Sequence, residues 1–278
     1  MLNILPEISV IKEKISSFYC ESQELQTVLR DFLSRESKLI RSIIALLFLK
    51  TTNESIKDEH YRIIVATELI HNASLIHDDA IDDSNIRRGK KSINTMFGNK
   101  LSIIAGDYLT SLAVQELLTL NNSDILQIYF KTISKMCEGE SLQYFQKGRI
   151  PTLNEYLIKT QYKTAELFKA CLVANSIYST NQYQIEAQEF AINYGIAFQI
   201  KNDLDDYKLG IDKSSDIQQR IYTAPVIFAN SIENSDAAIE KTMDLIDNYC
   251  QRAKNVLLKF SDNEYSRSLM GLVDKLCN

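Results

Sequence analysis

The sequence has no tryptophan, only 3 prolines and only 8 glycines in 278 residues. Turn chemistry is therefore scarce, which excludes a protein built from many short strands. No apolar run reaches the roughly 20 residues needed to cross a bilayer, so no transmembrane segment is expected, although a peripheral membrane contact stays open. The opening MLNILPEISVIKEK lacks the long apolar core of a secretion signal. The five cysteines (Cys20, Cys137, Cys171, Cys250 and Cys277) are odd in number and scattered, with no CxxC spacing. That suggests neither a zinc site nor a disulfide framework and is read as reduced thiols in a cytoplasmic protein. The net charge of −5 leaves no basic excess for nucleic acid. What remains is 45% hydrophobic and 24% charged, an ordinary globular composition. With no low-complexity tract, repeat or linker, residues 1–278 are read as one domain.

Apolar periodicity predicts helices over 7–18, 22–35, 38–51, 56–83, 93–120, 123–147, 153–179, 183–208, 222–232, 234–258 and 263–276. The breaks carry recognisable signals. Asn121-Asn122-Ser123 can cap the next helix, Gly148 precedes Pro151-Thr152, Ser179-Thr180-Asn181 is polar, and Pro225 stands near a helix start. Several segments are apolar on more than one side, as in a bundle with a buried central layer.

The stretch LIHDDAIDDSNIRRGKK, Leu75 to Lys91, places four aspartates at the end of one such helix and four cations directly after it. On a helix Asp78 and Asp82 share a face, with Asp79 and Asp83 in the adjacent row. Like charges at that spacing cost an isolated helix about 0.2–0.5 kcal/mol per pair, and the helix dipole disfavours anions at that end. A solvated acidic end is the ordinary explanation. A bound hard cation is the other, and Mg²⁺ characteristically uses one or two carboxylates plus substrate phosphate. Arg87-Arg88-Gly89-Lys90-Lys91 favours the second, because guanidinium forks match phosphate and Gly89 allows close backbone approach. A second helix ends alike: FQIKNDLDDYKLG, Phe198 to Gly210, carries Asp203, Asp205 and Asp206. Two acidic helix ends in one bundle can form a metal cage for a diphosphate, with an apolar cavity behind.

These motifs resemble the trans-isoprenyl diphosphate synthases (polyprenyl synthetases), from about Ser37 to the C-terminus. Asp78, Asp79 and Asp82 form a DDxxD. AGDYL (105–109), GESLQ (139–143) and YKTAELF (162–168) follow in the family's order, and FQIKNDLDDY is similar to its second aspartate-rich region. The resemblance implies an all-α, isoprenoid-synthase-type bundle around a deep central cavity. It also implies a dimer, a homodimer or a heterodimer with a second chain. An allylic diphosphate would bind with about three Mg²⁺ held by Asp78, Asp79, Asp82, Asn202, Asp203 and Asp206. Lys38, Arg41, His71 and Arg88 resemble the isopentenyl diphosphate site. Arg87, Lys163, Thr164 and Gln199 resemble contacts to the allylic diphosphate. Among these, Asp78, Asp79, Asp82, Lys163 and Asp203 would carry the chemistry. Singly, each has an ordinary explanation as surface charge or core; their order and spacing carry the reading.

Some positions depart from the family pattern. Glu36-Ser37-Lys38-Leu39-Ile40-Arg41 stands for Gly-Gly-Lys-Arg-x-Arg, Asn202 stands for an aspartate, Ile211 for a lysine, and Arg220-Ile221 for Gly-Lys before x-Thr-x-Pro. Lys213 and Arg220 are candidate substitutes for the missing cations. Three readings follow: an enzyme with compensating neighbours, an enzyme prenylating a peptide pheromone, or a weakly active subunit of a heteromeric synthase. The set Lys38, Arg41, His71 and Arg88 favours isopentenyl diphosphate as acceptor. Small Ala73 and Ser74, one turn before the first motif, line the pocket wall and predict a product of roughly six to eight isoprene units, unless Ile70 closes the pocket.

Overall fold

In the computed structural model of the chain, residues 4–53, 55–179, 182–210, 213–232 and 234–277 are described. The helices are α1 (Leu5–Ser16), α2 (Gln23–Ser34), α3 (Ile40–Thr51), α4 (Asp58–Ile81), α5 (Ile93–Phe97), α6 (Asn99–Leu118), α7 (Ser123–Gln146), α8 (Leu153–Thr160), α9 (Glu166–Ser179), α10 (Gln184–Lys208), α11 (Ser215–Gln218), α12 (Ala224–Ile232), α13 (Ser235–Leu257) and α14 (Glu264–Cys277). The all-α expectation holds, with one exception of four residues among those described. A two-stranded hairpin, β1 (Ile86–Arg87) and β2 (Lys90–Lys91), pairs antiparallel after α4.

Most boundaries follow their signals. Asn122 Oδ1 accepts from the amides of Asp124 and Ile125 at the start of α7. Thr152 and Glu155 cap α8 reciprocally, Asn234 caps α13, and Pro225 sits in the first turn of α12. Four details differ from the periodicity. The 93–120 segment breaks at Gly98, whose φ of +84° interrupts the helix between α5 and α6. The 153–179 segment is divided by a π-helical turn over Gln161–Ala165. Short α11 has too few residues for a periodic signal, and the hairpin is too short for alternation. Thr180, Asn181 and Ile211 lie outside the described residues.

Residues 1–126 and 127–278 form two compact units. In the first, α4 packs along α6 and meets α1, α3 and α5. Its Ile63, Ile64, Val65, Ala66, Leu69, Ile70, Ala73 and Ile76 are buried, so this helix is enclosed on several sides, as its all-round apolar sequence required. In the second, α10 is the central helix and packs on α9, α12, α13 and the π-turn. Phe168, Phe190 and Tyr194 form its aromatic core, with ring centroids 5.6–5.8 Å apart. Among the described residues no helix is long and apolar enough to cross a membrane. All five cysteines are free thiols.

Gly195 sets the approach of α10 to the π-turn. A Cβ there would stand 2.7 Å from the Cα of Ala165 and 2.8 Å from its Cβ, closer than real contacts allow. The backbones must then part in a close-packed core. Gly195→Ala should lower stability by about 1–3 kcal/mol, read from the urea midpoint. An unchanged midpoint would show that the two elements separate freely.

Candidate active site

The first acidic motif sits where α4 stops. The helix ends at Ile81, Asp82 is its C-cap, and Asp83 turns into the left-handed region with φ +48°. Asp83 therefore leaves the row that helical spacing assigns it beside Asp79. Asp79 is 1% exposed, and a carboxylate so enclosed needs donors. Arg87 on β1 supplies them: its Nε donates to both carboxylate oxygens at 2.9 and 3.2 Å, and its Nη2 donates to Oδ1 at 2.5 Å. The hairpin turn is Arg88 and Gly89, both at positive φ, as a two-residue turn demands. Gly89 thus serves the turn.

The arginines of this hairpin meet α2 and α4. His71 lies within reach of the charges on Arg41, Arg88 and Arg87; burial first, then those three guanidinium groups, push its imidazole well below its ordinary value. It is neutral at pH 7. Arg41 is buried in the first turn of α3. That turn is held by buried Glu68, whose Oε1 accepts from the Ser42 amide at 3.2 Å and hydroxyl at 2.7 Å. Burial lowers the Arg88 guanidinium, Glu68 opposes this, and Arg87 and Arg35 add to it. The structure thus brings Arg41, His71, Arg87 and Arg88 together. Lys38 is exposed in the loop before α3.

Sequence reasoning missed how the hairpin is held. Arg35, 5% exposed, donates from Nη1 to the Lys91 carbonyl at 3.0 Å and from Nε and Nη2 to Asp31 at 3.2 and 2.8 Å. Asp31 also takes Lys90 at 3.1 Å. The guanidinium groups of Arg35 and Arg88 stand 5.3 and 5.6 Å from the centroid of the Phe32 ring. Replacing Arg35 with alanine leaves the Lys91 carbonyl without this donor, a loss of about 1.5–3 kcal/mol for a charged hydrogen bond. Arg35→Ala should therefore speed amide exchange over residues 86–91 by roughly ten- to hundred-fold while α13 stays protected. Equal exchange would mean that the turn alone holds the hairpin.

In the second unit the motif residues form a hydrogen-bonded run. Thr164 Oγ1 donates to Gln199 Oε1 at 2.9 Å, Gln199 Nε2 donates to Asp203 Oδ1 at 2.7 Å, and the Tyr156 hydroxyl donates to Asp203 Oδ2 at 2.6 Å. The π-turn presents Thr164, and α10 presents Gln199 and Asp203 one turn apart. Lys163 of the same turn pairs with Glu140 of the GESLQ segment. Gly139 permits that contact, since a Cβ there would fall 2.9 Å from the Lys163 amide nitrogen. Asp206 accepts from the Ser214 hydroxyl at 2.5 Å and from the Ser215 and Asp216 amides, fixing the start of α11. Asn202, Lys213 and Arg220 are exposed, Arg220 with a left-handed φ of +58° in the place of a glycine. Ile221 is 9% exposed.

Burial, then the carboxylates of Asp203 and Asp206, raise Asp216 to about 7. Between the ordinary carboxylate value and about pH 7 the folded chain keeps a proton that the unfolded chain releases. Stability contributed there falls as pH rises through that window. Asp216→Asn should flatten the fall in melting temperature between pH 5 and pH 8 without divalent cations. A fall of the same size in the variant would remove Asp216 as its source.

Asp78, Asp79, Asp82, Asn202, Asp203 and Asp206 offer oxygen alone, the donor set of Mg²⁺ and not of zinc or copper. The oxygens of Asp79 and Asp203 already accept hydrogen bonds but keep free lone pairs. These residues fit the ion in chemistry; among the described residues no three His, Cys, Asp or Glu side chains cluster closely enough to hold one unaided.

The sequence profile of the polyprenyl synthetase family matches residues 22–259. The chain is 32% identical over 277 residues to a decaprenyl-diphosphate synthase of Dictyostelium discoideum, covering 88% of this chain and 60% of that protein, so it spans less than two thirds of that relative. It is 33% identical to a prenyl transferase of Cyanidium caldarium, covering 91% of this chain and 89% of that one. The crystal structure of heptaprenyl diphosphate synthase from Staphylococcus aureus superposes with a TM-score of 0.91 at 22% identity, over 99% of this chain and 98% of that one, and shows the same fold. The chain belongs to the polyprenyl synthetase family.

Proposed function

We propose that the chain is a trans-prenyltransferase that condenses an allylic prenyl diphosphate with isopentenyl diphosphate. Family membership supports the reaction class, and relatives named for decaprenyl and solanesyl products support a long-chain product. The observation that carries the reading is the gathering of Arg41, Arg87 and Arg88 around a neutral His71 beside buried Asp79. Three guanidinium groups at one place suit a multiply charged phosphate ester, and their forks match its oxygens. A peptide acceptor has no need of Arg41 and Arg88, which favours isopentenyl diphosphate.

In this reading Lys38, Arg41, His71 and Arg88 bind isopentenyl diphosphate, while Arg87, Lys163, Thr164 and Gln199 bind the allylic diphosphate. Asp78, Asp79, Asp82, Asn202, Asp203 and Asp206 hold Mg²⁺, which neutralises the diphosphate and makes it a better leaving group. The allylic C–O bond breaks with its electron pair leaving on the diphosphate. The isopentenyl double bond attacks the allylic carbon, and a proton then passes to the departed diphosphate. Arg87 and Lys163 would stabilise the charge that develops as the bond breaks. Residues 1–278 act as one domain, in the cytoplasm and as a homodimer, and the product has roughly six to eight isoprene units, set by Ala73 and Ser74 on α4.

Purified chain, Mg²⁺, farnesyl diphosphate and labelled isopentenyl diphosphate should yield labelled polyprenyl diphosphates, sized by chromatography. Asp78→Ala should lower turnover by at least about a hundredfold, as loss of a charged ligand implies, with helicity unchanged by circular dichroism. No label in the wild-type product would sink the reading. Full activity in the variant would remove Asp78 from the metal set.

A further inference from the structure

Lys159 takes no part in the motifs, yet it is the most buried lysine among the described residues, 7% exposed. It lies in the last turn of α8, directly before the π-turn that presents Lys163 and Thr164. Its ammonium stands 5.1 Å from the centroid of the Tyr156 ring and has no hydrogen bond or ion pair with a described residue. Neighbouring lysines differ: Lys163 pairs with Glu140 and Lys169 with Glu166. An ammonium largely withdrawn from water, with no acceptor from the protein, gains from one that a ligand supplies. Methionine would fill the same space without that cost.

Two observations say what the acceptor is. Lys159 lines a cleft together with Lys147, Arg149, Ile221 and Tyr222; no carboxylate lines it, although Arg149 pairs with Glu155 at 2.9 Å. Tyr156, whose ring faces the Lys159 ammonium, donates its hydroxyl to Asp203 Oδ2 at 2.6 Å, at the end of the Thr164–Gln199–Asp203 run. The ammonium therefore belongs both to the cleft that holds Ile221 and to the surroundings of Asp203. The candidate substitutes for the missing lysine, Lys213 and Arg220, are exposed.

We propose that Lys159 binds a diphosphate oxygen at the Asp203 site, supplying from α8 the cation that Ile221 does not supply from the loop before α12. This rests on the proposed function for the identity of the anion. Lys159 is then a further binding residue for the allylic diphosphate, beside Lys163 and Thr164.

Titration calorimetry of inorganic diphosphate with Mg²⁺ into the full chain tests it, with inorganic phosphate as the control for any anion. Lys159→Met should weaken diphosphate binding by about ten- to hundred-fold, the range for one charged hydrogen bond. Lys159→Arg should stay within a few-fold of wild type. The double variant Lys159→Met with Ile221→Lys should regain most of the lost affinity. Unchanged affinity in Lys159→Met, or a loss that Ile221→Lys does not restore, would overturn the assignment, as would a wild-type chain that binds no diphosphate or binds phosphate equally well. Should Lys159→Met fail to fold by circular dichroism, Lys159→Gln makes the same comparison. Unchanged affinity in a chain that consumes isopentenyl diphosphate refutes the Lys159 assignment alone. Weakened binding in a chain that does not consume it refutes the function alone.

Discussion

Each unit is organised around a carboxylate that must be buried at the end of an apolar helix. Asp79 and Asp203 are 1% and 5% exposed, each near the C-terminal end of its unit's central helix, where the helix dipole offers an anion nothing. A bare carboxylate cannot stay there. In one unit the solution is a guanidinium on a hairpin; in the other it is a phenol and an amide. The other local choices follow. The hairpin exists where Arg87 must reach back eight residues, and α8 is placed so that Tyr156 reaches Asp203.

The donors are held in turn by groups that never touch those carboxylates. Arg35 and Asp31 fasten β2 to the end of α2, and Phe32 offers its ring to two guanidinium groups. Glu68 holds the first turn of α3, which carries Arg41. In the second unit Gly195 and Gly139 let backbone come close on both sides of the π-turn. An inserted residue in a helix shifts which side chains face the neighbouring helix. Here it lets Thr164 meet Gln199 while Lys163 meets Glu140.

Much of this was legible beforehand. Helix existence followed from apolar periodicity and few breakers, and the cap at Asn122 fell where its residue type promised. The motif residues Arg41, His71, Arg87 and Arg88 do converge, as do Thr164, Gln199 and Asp203. What was not legible shares one cause. Arg35 and Lys91 are 56 residues apart, Tyr156 and Asp203 are 47 apart, and nothing in either segment alone announces the pairing. Asp83 was placed on a helical row because the spacing continued; the left-handed residue that ends the helix has no signature in an aspartate.

The sequence by itself determined the all-α class, the order of the helices and the places where acidic and basic residues accumulate, because these depend on period and composition within short windows. Only the tertiary structure decided which carboxylate is buried and which is solvated, which arginine fastens the hairpin and which lies beside the imidazole, and that Lys159 is enclosed without an acceptor. Burial and partnership depend on chain segments tens of residues away, and it is desolvation, not residue type, that turns a charged side chain into one that must be answered.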